Sequence, residues 1–346
     1  MEKARQAEAY QMVDYEAVRN GGAGLIDLSN RARITVGGSE AVMFLNGLIT
    51  NDMKTLAENS WMRAAFPNVQ GRLIAAVRVI RLADESGKPR FLIDTEAATH
   101  SHVLKTIERF TMAGDFKVAD ITSETAMLSV QGRDSSRLIQ SVFGDGPAKL
   151  PKHGVAAVQW QELDCTVIRS SQTAEDGFDV LVDANNKSRL ASALIEAGAV
   201  SVSEEASEIL RIEAGLGRFG QDMDESNVVT EANLDEAVSF TKGCYIGQEI
   251  IARIKYRGHV AKKLTGITLE GSEKLEVGTV IHSTDGKEIG RITSFAFSPA
   301  LEKMIALGYV RFEHLKPGTE VKIGDDEVKA VVTELPFIRG SWFEGN

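Results

Sequence analysis

The sequence predicts an α+β protein that ends in a small β-barrel, on three grounds. Strand-like apolar runs and helix-period patterns interleave as far as about residue 260. From about residue 262 onward the pattern changes to short strands punctuated by turn glycines, namely Gly271, Gly278, Gly286, Gly290, Gly318 and Gly324. At 346 residues, 43% hydrophobic and 25% charged, the chain is long enough for two or three cored units. We therefore divide it into residues 1–260 and 261–346.

In chain order, Ala32-Arg33-Ile34-Thr35-Val36 reads as a strand, and Ser39 is placed to cap a helix through Leu48. Leu73 to Leu82 and Phe91-Leu92-Ile93 follow as strands. Thr95 is placed to cap a helix that carries Val103, Leu104, Ile107 and Phe110 and ends before Gly114. Met127-Leu128-Ser129-Val130, Thr166-Val167-Ile168 and Val180-Leu181-Val182 are further strands, and a helix with Leu190, Leu194 and Ile195 stops at Gly198. Ser201 and Glu204 have capping-box spacing ahead of a helix bearing Ile209, Leu210 and Ile212.

The formal charge of −10 argues against wholesale nucleic-acid binding, although its distribution is uneven. Residues 201–240 hold ten acids against Arg211 and Arg218, whereas residues 242–263 hold Lys242, Arg253, Lys255, Arg257, Lys262 and Lys263 against Glu249. The two cysteines, Cys165 and Cys244, provide no disulfide framework and suit a reducing cytosol. Met1-Glu2-Lys3-Ala4-Arg5 is charged, and no apolar run approaches the roughly 20 residues of a membrane span. The expectation is a cytoplasmic protein with no membrane and no direct nucleic-acid partner.

Lys242-Gly243-Cys244-Tyr245-Ile246-Gly247-Gln248-Glu249 is the densest chemical signal. Ile246, Ile250, Ile251 and Ile254 recur at helical spacing, so Cys244 is expected in or just before the first turn of a helix, where free backbone N–H groups favour a thiolate. Lys242 and a folded-back Arg253 and Arg257 would favour it further. The plainer alternative is a small buried apolar residue. Gly215-Leu216-Gly217-Arg218-Phe219-Gly220 matches the dinucleotide fingerprint by letter, but it follows a predicted helix instead of a strand, which argues against that use. His100 and His102 stand two apart on a helix, His153, His259, His282 and His314 have no ligand spacing, and two separated cysteines cannot supply a four-thiolate cluster.

The string Lys242 to Glu249 resembles the signature of the YgfZ proteins, folate-binding relatives of the glycine-cleavage T-protein. The resemblance extends from Leu25-Ile26-Asp27-Leu28-Ser29 and Phe44 to Asp52 through Ser298-Pro299-Ala300-Leu301, Ile305 to Val310 and Leu335-Pro336-Phe337. It implies a three-lobed ring with tetrahydrofolate, or a folate derivative, in the central opening, and a middle lobe around residues 55–120. Ser171 to Asp179 looks like the T-protein motif whose final acid holds the pterin, so Asp179 takes that role by position and Gln172 stands where the motif has tyrosine. A carboxylate suits the task because it can accept the ring N–H and the adjacent amino group side by side. Unaided, the Glu175-Asp176-Gly177 run reads as a turn between strands.

Arg211 aligns with a family arginine near the folate, with a helix ion pair to Glu208 as its local alternative. Lys242, Gln248, Glu249, Arg253, Tyr256 and Arg257 are expected to shape a pocket around Cys244. One departure concerns chemistry: in Asn68 to Val77 both acid positions of the T-protein run are alanines, Ala75 and Ala76. A methyl group can neither orient a proton nor stabilise positive charge, which implies that aminomethyl transfer is impaired. The implied function is a tetrahydrofolate-binding accessory protein for assembly or repair of iron–sulfur proteins, including tRNA-modifying enzymes. Its partners would be those clients or assembly proteins, and Cys244 its functional thiol. The alternative is a folate-dependent aminomethyltransferase in which Asp27 or Asp52 replaces the missing acids. A third possibility is a folate-independent docking protein whose basic segment meets an acidic partner.

Overall fold

The computed structural model describes residues 13–109, 111, 114–271 and 275–344, so the N-terminal pentapeptide and Phe110 lie outside the described residues. Two sheets and a barrel make up the protein. The first sheet has six strands in the order Val200–Ser201, Gly24–Asp27, Thr125–Gln131, Gly177–Asp183, Leu163–Arg169 and Val155–Trp160, all antiparallel except the first pair. Helices Ser135–Phe143 and Lys187–Glu196 cover one face, where Leu138, Ile139, Leu190 and Leu194 meet Leu128, Val130, Phe178 and Val180.

The second sheet is fully antiparallel, ordered Ser60–Pro67, Leu73–Glu85, Lys88–Thr95, Ala32–Gly37 and Lys117–Asp120. Because Ala32–Gly37 pairs in its interior, this lobe draws on chain well before residue 55. The two sheets pack through Trp61, Ile80 and Leu92 on one side and Met127, Val155 and Ile168 on the other. Central strands of both therefore bury both faces, and this is why they read as continuous apolar runs in the sequence.

Three caps differ from expectation. Ser39 donates to Asp115 while Glu40 takes the N-cap position of the helix Ala41–Leu48. Thr95 pairs with the Thr99 hydroxyl, and the helix starts at His100 after a short 3-10 turn. Ser203, not Ser201, caps the helix Glu204–Glu213, accepting from the Ala206 N–H at 3.2 Å.

The C-terminal barrel is closed, ordered Lys262–Leu269, Lys303–Arg311, Glu288–Ser298, Val280–Ser283, Glu320–Ile323 and Val328–Thr333, with the first strand also pairing the last. Alternation divides its residues between two cores. Ile267, Ile281, Ile292, Ala306 and Val310 fill the interior, while Leu264, Ile305, Leu307 and Tyr309 face outward onto Ile212. Glu213, fully buried, fastens this junction by accepting from Tyr15 Oη at 2.7 Å, Arg19 at 2.7 and 2.9 Å, and Ser298 Oγ at 2.5 Å. Among the described residues no helix is long and apolar enough to cross a membrane.

Candidate functional site

A cavity of about 520 Å³ lies where the two sheet lobes meet the segment leading to the barrel. The first lobe contributes Ile26 to Leu28, Ser170 and Gln172, the second Arg63, Ala64, Ala76, Val77, Arg78 and Glu96, and the junction Arg211 and Leu216 to Phe219. That volume is within the usual range for organic cofactors, about 300–1,000 Å³.

Asp179 sits at the heart of the wall but not on its surface. It is fully buried in the strand Gly177–Asp183; its Oδ1 accepts from Ser129 Oγ at 2.6 Å, and its Oδ2 from Arg78 at 2.5 Å and Gln172 Nε2 at 3.2 Å. Arg78 and Gln172 both line the cavity, and Gln172 holds Oδ2 by the longer bond, so its rotation is what would open Oδ2 to a ligand. Arg78 also binds Asp94 at 2.6 Å, and Asp94 is shared with Arg31 at 2.8 Å. Burial pushes the Asp94 carboxyl up, but Arg31 and Arg78 outweigh it and hold the group below the ordinary carboxylate range. Arg211 lines the cavity from the last turn of its helix, and it is engaged by both Glu208 and Asp222. The helix ion pair and the cavity position thus coexist.

Ala76 lines the cavity, whereas Ala75 is completely buried. Asp27 also lines it and is ion-paired with Lys187; Asp52 does not line it.

The structure divides the remaining expected site residues from this cavity. Lys242, Cys244, Gln248, Arg253 and Arg257 are not among its lining residues. Lys242 is buried, and its Nζ donates to the carbonyls of Asn46, Ile49 and Asn51 at 2.7, 2.9 and 2.6 Å, so the ammonium points into the second lobe and not at the thiol. Cys244 is exposed and lies outside the helix, which begins only at Gln248; Arg253 and Arg257 are exposed along that helix. Gly247 adopts φ +77°, and a Cβ there would strike the Asn68 carbonyl and Gly71. The glycine therefore permits the Cys244 segment to close against the Asn68–Gly71 turn. Cys165 is buried, and burial aided by Asp164 pushes its thiol up to about 11, which disfavours the thiolate.

The glycine run from Gly215 to Gly220 follows a helix end, with Gly215 at φ +68°, and carries the chain toward the barrel. Arg63, Arg78, Arg31 and Asp94 escaped the sequence reading. The one signal that could have found the first pair is the hairpin: pairing around the Asn68–Gly71 turn sets Arg63 opposite Arg78.

Residues 2–242 match the GCVT N-terminal domain, and residues 262–338 match the glycine cleavage T-protein C-terminal barrel domain. The chain is 32% identical to an aminomethyltransferase of Thermotoga neapolitana over 327 residues, covering 92% of this chain and 87% of that one. It is also 32% identical to an aminomethyltransferase of Rubrobacter xylanophilus, with 94% and 86% covered. The crystal structure of the glycine cleavage system aminomethyltransferase T from Bartonella henselae superposes with a TM-score of 0.86 at 24% identity, covering 95% of this chain and 90% of that one, a likeness of fold.

Proposed function

Since the chain belongs to the family of the glycine-cleavage T-protein, we propose that its central cavity binds tetrahydrofolate, and that the protein works as a folate-dependent accessory factor with little aminomethyl transfer of its own. Asp179, Ser170, Gln172 and Arg211 would hold the cofactor, which when bound supplies a nitrogen that carries a one-carbon unit. One observation supports the loss of transfer: Ala76 forms the cavity wall at the position where the T-protein motif has an acid. The other carboxylates there are committed or peripheral, with Asp27 on Lys187, Glu96 on Arg31, and Glu204 exposed at a helix start. The YgfZ resemblance extends this reading to cytoplasmic service for iron–sulfur proteins, including tRNA-modifying enzymes, with the exposed Cys244 as the thiol that acts.

Aminomethyl transfer is the second reading. The relatives bear that name, and they favour it over iron–sulfur service. Asp27 is the cavity carboxylate that would stand in for the missing acid.

Ammonia release separates the two. Supplied with aminomethylated carrier protein and tetrahydrofolate, the protein is expected to release ammonia at least ~100-fold more slowly than a working T-protein, the usual effect of losing a positioned acid. A rate equal to that control makes it an aminomethyltransferase. For the accessory role, Cys244→Ala is expected to lower the activity of client iron–sulfur enzymes in cells under oxidative stress. Unchanged client activity removes the thiol from the proposal.

A further inference from the structure

Five arginines line the central cavity: Arg31, Arg63, Arg78, Arg211 and Arg218. Four are neutralised by acids of the protein itself, Arg31 by Asp94 and Glu96, Arg78 by Asp94 and Asp179, Arg211 by Glu208 and Asp222, and Arg218 by Glu208. Arg63 is different. Its guanidinium has no hydrogen-bond or ion-pair partner among the described residues, and it is set directly across the strand pair from Arg78. Like charges opposite one another on paired strands repel. Burial lowers the proton affinity of this guanidinium, with Glu236 opposing and the fields of Arg78 and Arg31 adding to the effect.

A partly buried cation with no acceptor side chain is available to an acceptor that a ligand brings to it. Its five N–H donors suit an oxygen acceptor. Ala76, in the same wall, offers nothing to a cation. An aminomethyl group, an amine protonated at neutral pH, would meet an uncompensated guanidinium here, and Glu204, exposed at a helix start, is the lining carboxylate without an ion pair among the described residues. A formyl oxygen would accept from that guanidinium.

We propose that Arg63 is a specificity-determining residue, selecting in this cavity a one-carbon unit that presents an acceptor oxygen, as in a formylated folate, over one that presents none, as in a methylated folate. The inference rests on the reading that the cavity holds folate.

The test is calorimetric titration of the full chain and of Arg63→Met with 5-formyltetrahydrofolate, 5-methyltetrahydrofolate and unsubstituted tetrahydrofolate. The wild-type protein is expected to bind the formyl compound about tenfold more tightly than the methyl compound, the scale of one charge-assisted hydrogen bond. Arg63→Met should bring the two within about threefold while still binding unsubstituted tetrahydrofolate, and Arg63→Lys should restore part of the preference. In thermal melts without ligand, Arg63→Met is expected to be at least as stable as the wild type, because an unpaired charge has been removed; a framework role would make it less stable. Equal wild-type affinities for the formyl and methyl compounds, a preference that survives in Arg63→Met, or a destabilised empty variant overturns the assignment and leaves folate binding standing. Binding of none of the three at millimolar ligand overturns both.

Discussion

Arg78→Met is expected to destabilise the protein by about 3–5 kcal/mol and to abolish folate binding, because it leaves the fully buried Asp179 without a cation and the fully buried Asp94 with Arg31 alone. Asp179 and Asp94 each lose their bond to the guanidinium, and Asp179 keeps only Ser129 and the long contact from Gln172. Arg78 also stacks over Trp61, 5.6 Å from the ring centroid, at the seam of the two sheets. The methionine fills part of the volume, so lost charge and not a cavity dominates the effect. Adding Asp179→Asn to Arg78→Met should recover part of the loss, since an amide is far cheaper to bury than an orphaned carboxylate. Chemical denaturation of the two single variants and the double variant measures that coupling; a coupling below about 0.5 kcal/mol would sink the account.

The same network sets the acid sensitivity. Asp94 has a folded pKa below its ordinary value, so its contribution to stability is complete above about pH 4 and is lost as pH falls through the folded value. The wild type should therefore lose stability below about pH 4 more steeply than Arg78→Met, in which one of the two cations that hold Asp94 ionised is gone.

Lys242→Met is the second large effect expected, at about 3 kcal/mol or more. Three carbonyls at the end of the helix Ala41–Leu48 and in the turn beyond it lose their donor at once, and each buried acceptor left unpaired costs about 1–3 kcal/mol. The loss is local before it is global. Ile246 N–H binds the Gly47 carbonyl beside this anchor, so the segment from Lys242 to Gly247 should exchange its amide hydrogens faster in the variant, while barrel amides keep their protection. Uniform acceleration across the barrel would show that Lys242 acts through global stability alone. This anchoring explains the lysine of the Lys-Gly-Cys-Tyr string without any role in thiol activation.

Much of the architecture was readable in advance because it depends on local period. The strands at Ala32, Leu73, Phe91, Met127, Thr166 and Val180 lie where the apolar runs placed them, and the turn glycines after Lys262 separate barrel strands except for Gly290, which lies within the strand Glu288–Ser298. Caps were less readable, since Ser39, Thr95 and Ser201 each have a competing partner or a competing serine within a few residues. The structure distributes the expected site residues over two places. Gln172 and Arg211 line one cavity with Asp179 buried behind its wall, whereas the residues expected around Cys244 spread over a buried anchor, an exposed loop and an exposed helix.

From its letters this protein declared several of its central strands, its barrel, its family motifs and the alanines that stand where acids belong, all of which are properties of neighbours along the chain. Where Lys242 points, that Asp179 is already held by Arg78, and that Arg63 faces a cavity unpaired were settled only when the two sheets packed together. Charges at positions 31, 63, 78, 94 and 179 come within reach of one another through hairpin register and sheet stacking, and Coulomb interactions depend on that distance through space and not on separation in sequence.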